Sequence, residues 1–497
     1  PMFHQASSRT ARRGFLIGAA GAAVVCSFAV CPGASVSAGP LRGPNILWIV
    51  TDDHRPDSLG CTGPSWLKTP HMDRIARRGV LFRHAFSQCP ICTPSRSSMI
   101  TGRYCHSIGV TAMGAGQRLG PNAPYLTRPL QAEGYHLINV GKKLPSPKIF
   151  DIEIGAQGYD DPGATPYKLK PPFEGMEKEL GVLHLNKQCP VIVAGRHPLP
   201  ASRTEPAITI NNAIALVRKG LKSPFLLRVS IMAPHVPVLP PEPFDTMYDA
   251  AEMPFEPPTD EELAGAPRWE REALRKLQGS VHLTKRDVQR ARACYFGLVS
   301  HMDREIGRLM AEIEQLGLLE DMLVVVTSDQ GWCLGEHGVF GKRCFYEQSA
   351  GAILIISWPG HVPEGKVIND PVELVGVMPT MLDAGGIKLP PNVQGASLLP
   401  LIRGEQDAPD AVFSEIDFSK SMYPCLRMPN SRRVMVRTRH WKMSYFIERV
   451  GDARDGDLYN LTNDPEERRN LWKDKTYADV VARLEARVMQ WDEETKH

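Results

Sequence analysis

Ser87-Gln88-Cys89-Pro90-Ile91-Cys92-Thr93-Pro94-Ser95-Arg96-Ser97-Ser98-Met99-Ile100-Thr101-Gly102-Arg103-Tyr104 is the stretch on which the reading of this chain turns. Its centre is Cys92. Pro94 removes a backbone donor and restrains Thr93, so Cys92 does not lie deep in a helix. Ser95 is free to cap a helix running from Arg96 to Gly102. A nucleophile at a helix amino end faces unpaired N–H groups and the positive end of the dipole, which suits an anionic substrate. Arg96 adds a fixed positive fork beside it. Two plainer readings stand next to this one. Cys92 is a buried core cysteine, or it forms a redox pair, because Cys89-Pro90-Ile91-Cys92 is a CxxC. The redox pair asks for a thioredoxin-like βαβ context and a zinc site for a second pair of ligands; neither is evident.

Outward from that run, short apolar segments alternate with helical stretches, the pattern of a large, mostly parallel sheet with helices on both faces. The predicted strands are Asn45–Thr51, His136–Val140, Pro224–Ser230, Met322–Ser328 and Ala352–Ile356. Four of them run into polar groups: Asp52-Asp53, Gly141-Lys142, His235 after a short gap, and Asp329-Gln330. Ligands of open α/β sheets bind at the carboxyl ends of strands. The adjacent carboxylates Asp52 and Asp53 suggest a hard cation, with a solvated loop as the plain alternative. Asp329-Gln330 supplies a further carboxylate and an amide oxygen. A lone His235 is often structural, and most lysines such as Lys142 and Lys342 are only exposed.

The clearest helix runs from about Thr284 to Leu316, with Phe296, Val299, Met302, Ile306, Leu309, Ile313 and Leu316 on one stripe and Gly317 closing it. Beyond roughly residue 410 the pattern changes to short alternating strands, Val434–Arg437 and Trp441–Phe446, and a terminal amphipathic helix near Tyr477–Trp491. Residues 39–410 therefore read as a catalytic domain, and 411–497 as a smaller subdomain with an antiparallel sheet and a helix.

The chain has 497 residues, 42% hydrophobic and 23% charged, ordinary for a globular enzyme. A net charge of +3 gives no footprint for nucleic acid or a membrane surface, so attraction for anions has to be local. Arg12-Arg13-Gly14-Phe15-Leu16, the apolar run Ile17 to Val30 and the small-residue site Ser35-Val36-Ser37-Ala38 read as a twin-arginine-type export signal over residues 1–38. The expectation is a periplasmic or extracellular protein with no stable membrane anchor after cleavage. Nine cysteines lie beyond that signal at no dense spacing, and their pairing cannot be read.

Cys92-Thr93-Pro94-Ser95-Arg96 followed by Thr101-Gly102-Arg103 resembles the signature of the type I sulfatases, members of the alkaline-phosphatase-like superfamily. Asp457-Leu458-Tyr459-Asn460-Leu461, Asp464-Pro465-Glu466 and Asn470-Leu471 are similar to the family's C-terminal line. Asp52-Asp53-His54-Arg55-Pro56-Asp57-Ser58 and Leu334-Gly335-Glu336-His337-Gly338 look closest to the iduronate-2-sulfatase-like and choline-sulfatase-like branches. The resemblance implies that a formylglycine-generating maturation enzyme oxidises Cys92 to formylglycine, whose hydrate attacks the sulfur of a sulfate monoester. It implies that Asp52, Asp53, Asp329, Gln330 and an oxygen of the modified Cys92 bind one divalent cation; all-oxygen ligation favours Ca²⁺ over zinc. It further implies that Lys142, Lys342 and Arg96 share the sulfuryl charge and that His235 or Lys342 assists the leaving alcohol. The implied substrate is a sulfated small molecule or glycan. The family usually carries a His shortly after the first lysine, and here Gly141-Lys142-Lys143-Leu144-Pro145 lacks it. Lys143, His136 or His106 are the candidates for that space. The rival functions are a phosphate or phosphonate ester hydrolase of the same superfamily and a non-catalytic sulfated-glycan-binding protein.

Overall fold

The computed structural model describes residues 43–114, 116–144, 146–155, 162–280, 282–449 and 454–496. The export-type segment 1–38 lies outside the described residues. A nine-stranded sheet forms the centre. Its strands are β1 (Asn45–Asp52), β2 (Val80–Phe86), β3 (His136–Gly141), β4 (Ile152–Ile154), β5 (Phe225–Pro234), β6 (Met322–Ser328), β7 (Gly351–Ala352), β8 (Leu354–Ser357) and β9 (Lys366–Glu373). The order is β7-β2-β8-β6-β1-β5-β3-β4, with β9 also paired to β2. β6, β1, β5, β3 and β4 run parallel, and β8 is antiparallel to both β6 and β2. This is the mixed, mostly parallel sheet that the sequence predicts.

The central strands are apolar on both faces because helices cover both. Successive residues of a strand point to opposite sides. Ile46, Trp48 and Val50 pack with Met99 and Ile100 of α2 (Cys92–Thr101) on one side. Leu47 and Ile49 pack with α1 (Pro70–Arg77), α3 (Glu205–Arg218) and α4 (Lys285–Gln315) on the other. α4 is the long helix of the sequence reading. Thr284 caps it in a reciprocal arrangement with Asp287. Its Val299, Met302, Ile306, Leu309 and Ile313 are all buried. Asp303 on α4 accepts from the backbone N–H groups of His71 and Met72, which ties the start of α1 to it.

A separate antiparallel sheet follows: β10 (Ala411–Asp417), β11 (Arg432–Thr438), β12 (Trp441–Phe446) and β13 (Gly456–Asn460), paired in that order. The helix Ala478–Glu494 lays Leu484, Val488 and Trp491 against it.

α2 departs from expectation. It begins at Cys92, with Ile91 as its extended N-cap, instead of at Arg96. Pro94 sits in the first turn, where its missing N–H costs nothing. Ser95 is therefore inside the helix and does not cap it; its Oγ donates to the carbonyl of Asp329.

Candidate active site

Six chain segments meet at the carboxyl edge of β1, β3, β5 and β6. β1 ends in Asp52 and turns through Asp53, which holds a left-handed φ of 56°. A non-glycine residue in that region is strained and persists only where its surroundings over-determine it. Here Asp53 is held on both sides: its carbonyl accepts from Tyr295 Oη at 2.6 Å, and its N–H donates to Asp329 Oδ1 at 3.2 Å. β3 ends at Gly141, φ 90°, where a Cβ would come within 2.1 Å of the Ser230 carbonyl oxygen. Only glycine allows that approach, and it delivers Lys142 to the site.

Asp52, Asp53, Asp329 and Gln330 are all fully buried. Carboxylate oxygens of the three aspartates lie within 4.8 Å of one another, and so do ligand atoms of Asp52, Cys92 and His235. Buried anions require compensation. Arg96 supplies it from α2: Nε lies 2.6 Å from Asp329 Oδ2, Nη2 lies 3.2 Å from Asp52 Oδ2, and Nη1 donates to Ser230 Oγ at 2.7 Å. Lys142 Nζ pairs with Asp52 Oδ2. Lys342 Nζ lies 2.7 Å from both Asp53 Oδ1 and Cys92 Sγ. His235 Nε2 lies 3.6 Å from Asp53 Oδ2, and its Nδ1 contacts the Val236 carbonyl oxygen at 2.7 Å. Asp52, Asp53, Cys92, Arg96, Lys142, His235, Asp329, Gln330 and Lys342 are thus brought to one place.

Burial alone raises the Asp52 carboxyl, but Lys142, Arg96, His235 and Lys342 together hold it well below the usual carboxylate range. Burial opposes the charge on Lys342, and Asp53 restores it, so that its ammonium titrates well above the ordinary value. Burial lowers His235 despite the neighbouring Asp53. Burial and Asp52 push the Cys92 thiol up to about 11. Both effects disfavour the thiolate of Cys92, the form in which a cysteine is nucleophilic. Cys92 is no redox partner of Cys89 either, because Cys89 Sγ points at the Thr111 carbonyl oxygen and Cys92 Sγ at Lys342.

The cluster's oxygens fit a cation. Asp52 Oδ1, Asp53 Oδ2 and Gln330 Oε1 are buried without a hydrogen-bond partner. Gln330 presents Nε2, not Oε1, to Asp53 Oδ1, at 2.6 Å. A carboxylate attracts the donor end of an amide, and a half-turn of the near-symmetric group exchanges the two ends.

None of the three candidates occupies the place of the family's missing histidine. Lys143 is exposed. His136 begins β3, at the opposite end of the strand. His106 is bonded to Glu415 at 2.7 Å and to the Thr495 carbonyl oxygen. The sequence reading missed Ser230, Tyr295, Trp332 and Arg228. Trp332 lies with its ring 5.7 Å from Lys342 Nζ and 6.3 Å from the His235 ring. Arg228, fully buried in β5, donates to the Lys142 carbonyl oxygen at 3.1 Å and to Asn139 Oδ1 at 2.6 Å. A charge in the middle of the apolar strand Phe225–Pro234 was the available signal for it.

Buried carboxylates, clamped by cations at the carboxyl edge of such a sheet, define a site for a hydrolase acting on an anionic ester. Comparison with known proteins names the family. The sulfatase family model matches residues 44–387, and that of the N-sulphoglucosamine sulphohydrolase C-terminal region matches 335–494. The chain belongs to the sulfatase family, the formylglycine type within the alkaline-phosphatase-like superfamily, and is a sulfuric ester hydrolase. Human iduronate 2-sulfatase is 27% identical, the match covering 88% of this chain and 93% of that protein. N-acetylglucosamine-6-O-sulfatase of Bacteroides thetaiotaomicron is 26% identical over 92% and 86%. Among solved structures, the phosphonate monoester hydrolase of Silicibacter pomeroyi superposes with a TM-score of 0.76 at 24% identity, covering 91% of this chain and 96% of that one; the likeness is one of fold.

Lys342 touches both Asp53 and Cys92, whereas Lys143 faces solvent. Removing one donor that stabilises transition-state charge typically costs about 3 kcal/mol of barrier. Lys342→Ala is therefore expected to lower kcat about a hundredfold or more, with Lys143→Ala near normal. Steady-state kinetics on a chromogenic aryl sulfate checks both. Near-normal turnover of a correctly folded Lys342→Ala protein would show that the sulfate cradle lies elsewhere.

Proposed function

We propose that the protein hydrolyses a sulfate monoester of a carbohydrate, with formylglycine formed from Cys92 as nucleophile and one Ca²⁺ held by Asp52, Asp53, Asp329 and Gln330. The observation that carries this is the place of Cys92: the first residue of α2, buried, with Lys342 Nζ at 2.7 Å and Asp52 and His235 around it. Once formed, the modified residue supplies a hydrated aldehyde, one hydroxyl of which attacks sulfur while the other permits release of sulfate. A cation held by Asp52, Asp53, Asp329 and Gln330 would supply Lewis acidity there.

The chain's own residues do the rest. Lys142 and Lys342 converge from two strand ends and hold the charge of the sulfuryl oxygens. Arg96 fixes Asp52 and Asp329 in one orientation. Lys342 holds its proton 2.7 Å from Cys92 Sγ and is the candidate to protonate the leaving alcohol, while His235, its Nδ1 turned to the Val236 carbonyl, presents Nε2 toward Asp53. Trp332 lays its ring beside both.

The carbohydrate rests on the names of the relatives above, which act on iduronate and N-acetylglucosamine sulfates. The twin-arginine-type segment supports a further proposal, export to the periplasm or the exterior. Among the described residues no helix is long and apolar enough to cross a membrane.

Two measurements test this reading. Elemental analysis is expected to find about one Ca²⁺ per chain in active protein and little in Asp329→Ala, with activity lost in parallel. Active protein free of bound metal contradicts the cation. A desulfation panel of sulfated mono- and disaccharides, choline sulfate, aryl sulfate and an aryl phosphonate monoester is expected to give its highest kcat/KM on a sulfated sugar. Preference for the phosphonate overturns the substrate class.

A further inference from the structure

We propose that Cys333 and Cys344 are a modification site, a disulfide that staples the hairpin carrying Lys342. The short strands Cys333–Leu334 and Phe340–Gly341 pair antiparallel, with Cys333 opposite Gly341. The chain then runs through Lys342 and Arg343. Arg343 adopts a left-handed φ of 76°, and the path brings Cys344 back to the hairpin's open end. Cys344 Sγ lies 3.8 Å from Cys333 Sγ, and both residues are buried. A disulfide needs about 2.05 Å between sulfurs, so the remaining approach is under about 2 Å, within what small rotations of the two side chains cover.

The ring so closed contains the groups that locate Lys342. Glu336 inside it is held by Arg55 at 2.9 Å and by Arg292, and it accepts from the Leu334 N–H at 2.5 Å. Those bonds fix the hairpin's loop; the staple fixes its other end, two residues beyond Lys342. Pairing also withholds both thiols from Cys92, whose conversion needs a free thiol next to this same lysine.

The chemistry is thiol–disulfide exchange with a disulfide such as oxidised glutathione. One cysteine thiolate attacks it, forming a mixed disulfide and releasing one glutathione thiol. The second cysteine then attacks the protein-side sulfur and releases the other. Two cysteine thiols become one S–S bond, and the glutathione disulfide takes up the two electrons and two protons. In the folded protein the Cys344 hydrogen bond and burial push the Cys333 thiol well above its ordinary range. A protonated, buried thiol exchanges slowly, so the bond closes during folding, while the hairpin is still open to solvent.

The full chain, refolded from denaturant in a glutathione redox buffer, is alkylated and digested without reduction. Mass spectrometry is expected to find a linked peptide joining Cys333 to Cys344. Refolding under a reductant should lower Tm by a few degrees, and Cys344→Ala should abolish that difference between the two conditions. Recovery of both residues as alkylated thiols from the redox buffer overturns the proposal, as does their linkage to other cysteines.

Discussion

The interaction on which the rest depends is the guanidinium of Arg96 between Asp52 and Asp329. All three groups are out of contact with water. Each ion in such a place carries a desolvation penalty of several kcal/mol, and the cluster stands only because three carboxylates face three cations at short range. Arg96 is the member that cannot be replaced by a point charge. Its planar fork reaches Asp329 through Nε, Ser230 through Nη1 and Asp52 through Nη2, and so pins α2 to the ends of β1, β5 and β6 at once. Breaking a buried pair from one side typically costs about 3–5 kcal/mol, because the partner is left as an uncompensated charge. The same bonds that make the site anion-seeking therefore hold its walls together.

That constraint explains where the backbone bends. The sheet's regular geometry carries β1 straight past the cluster; placing both Asp52 and Asp53 in it requires the left-handed turn at Asp53, held by Tyr295 and Asp329. On the neighbouring side β3 has to pass close to Ser230, and Gly141 is the residue that permits it. Arg228 then holds the Lys142 carbonyl from behind. The strained residue, the glycine and the buried arginine all serve the position of side chains that bear charge.

Much of this was legible in the sequence because it is local. Apolar runs followed at once by Asp52-Asp53, Lys142 or Asp329-Gln330 announce strands whose carboxyl ends carry chemistry, and the stripe of α4 announces a helix against a sheet. Among the strands of the large sheet, β2, β4 and β9 escaped, and only Ala352 of β7 was reached. β2 carries Arg83 and His84 and leaves them partly exposed, and β9 is interrupted by Asn369-Asp370-Pro371; their pairing with each other joins segments some 280 residues apart, which no local pattern reports. The start of α2 was misplaced because Pro94 reads as a barrier, although the first turn of a helix tolerates it. Ser230 and Tyr295 were invisible for a different reason: each acts through hydrogen bonds set by tertiary packing, and neither residue type draws notice at its position in the chain.

The central claim is that the reactive group at position 92 is not the thiol the gene encodes. The geometry supports it from two directions: burial and Asp52 disfavour the thiolate, and the lysine beside it suits an oxygen nucleophile and an anionic ester. The direct measurement is turnover of an aryl sulfate in preparations that differ in the fraction of residue 92 converted to formylglycine, that fraction being read by peptide mass spectrometry from the same samples. The account predicts turnover proportional to the converted fraction, with a line through the origin. Turnover that is independent of conversion, or full activity in protein carrying only the cysteine, would contradict it.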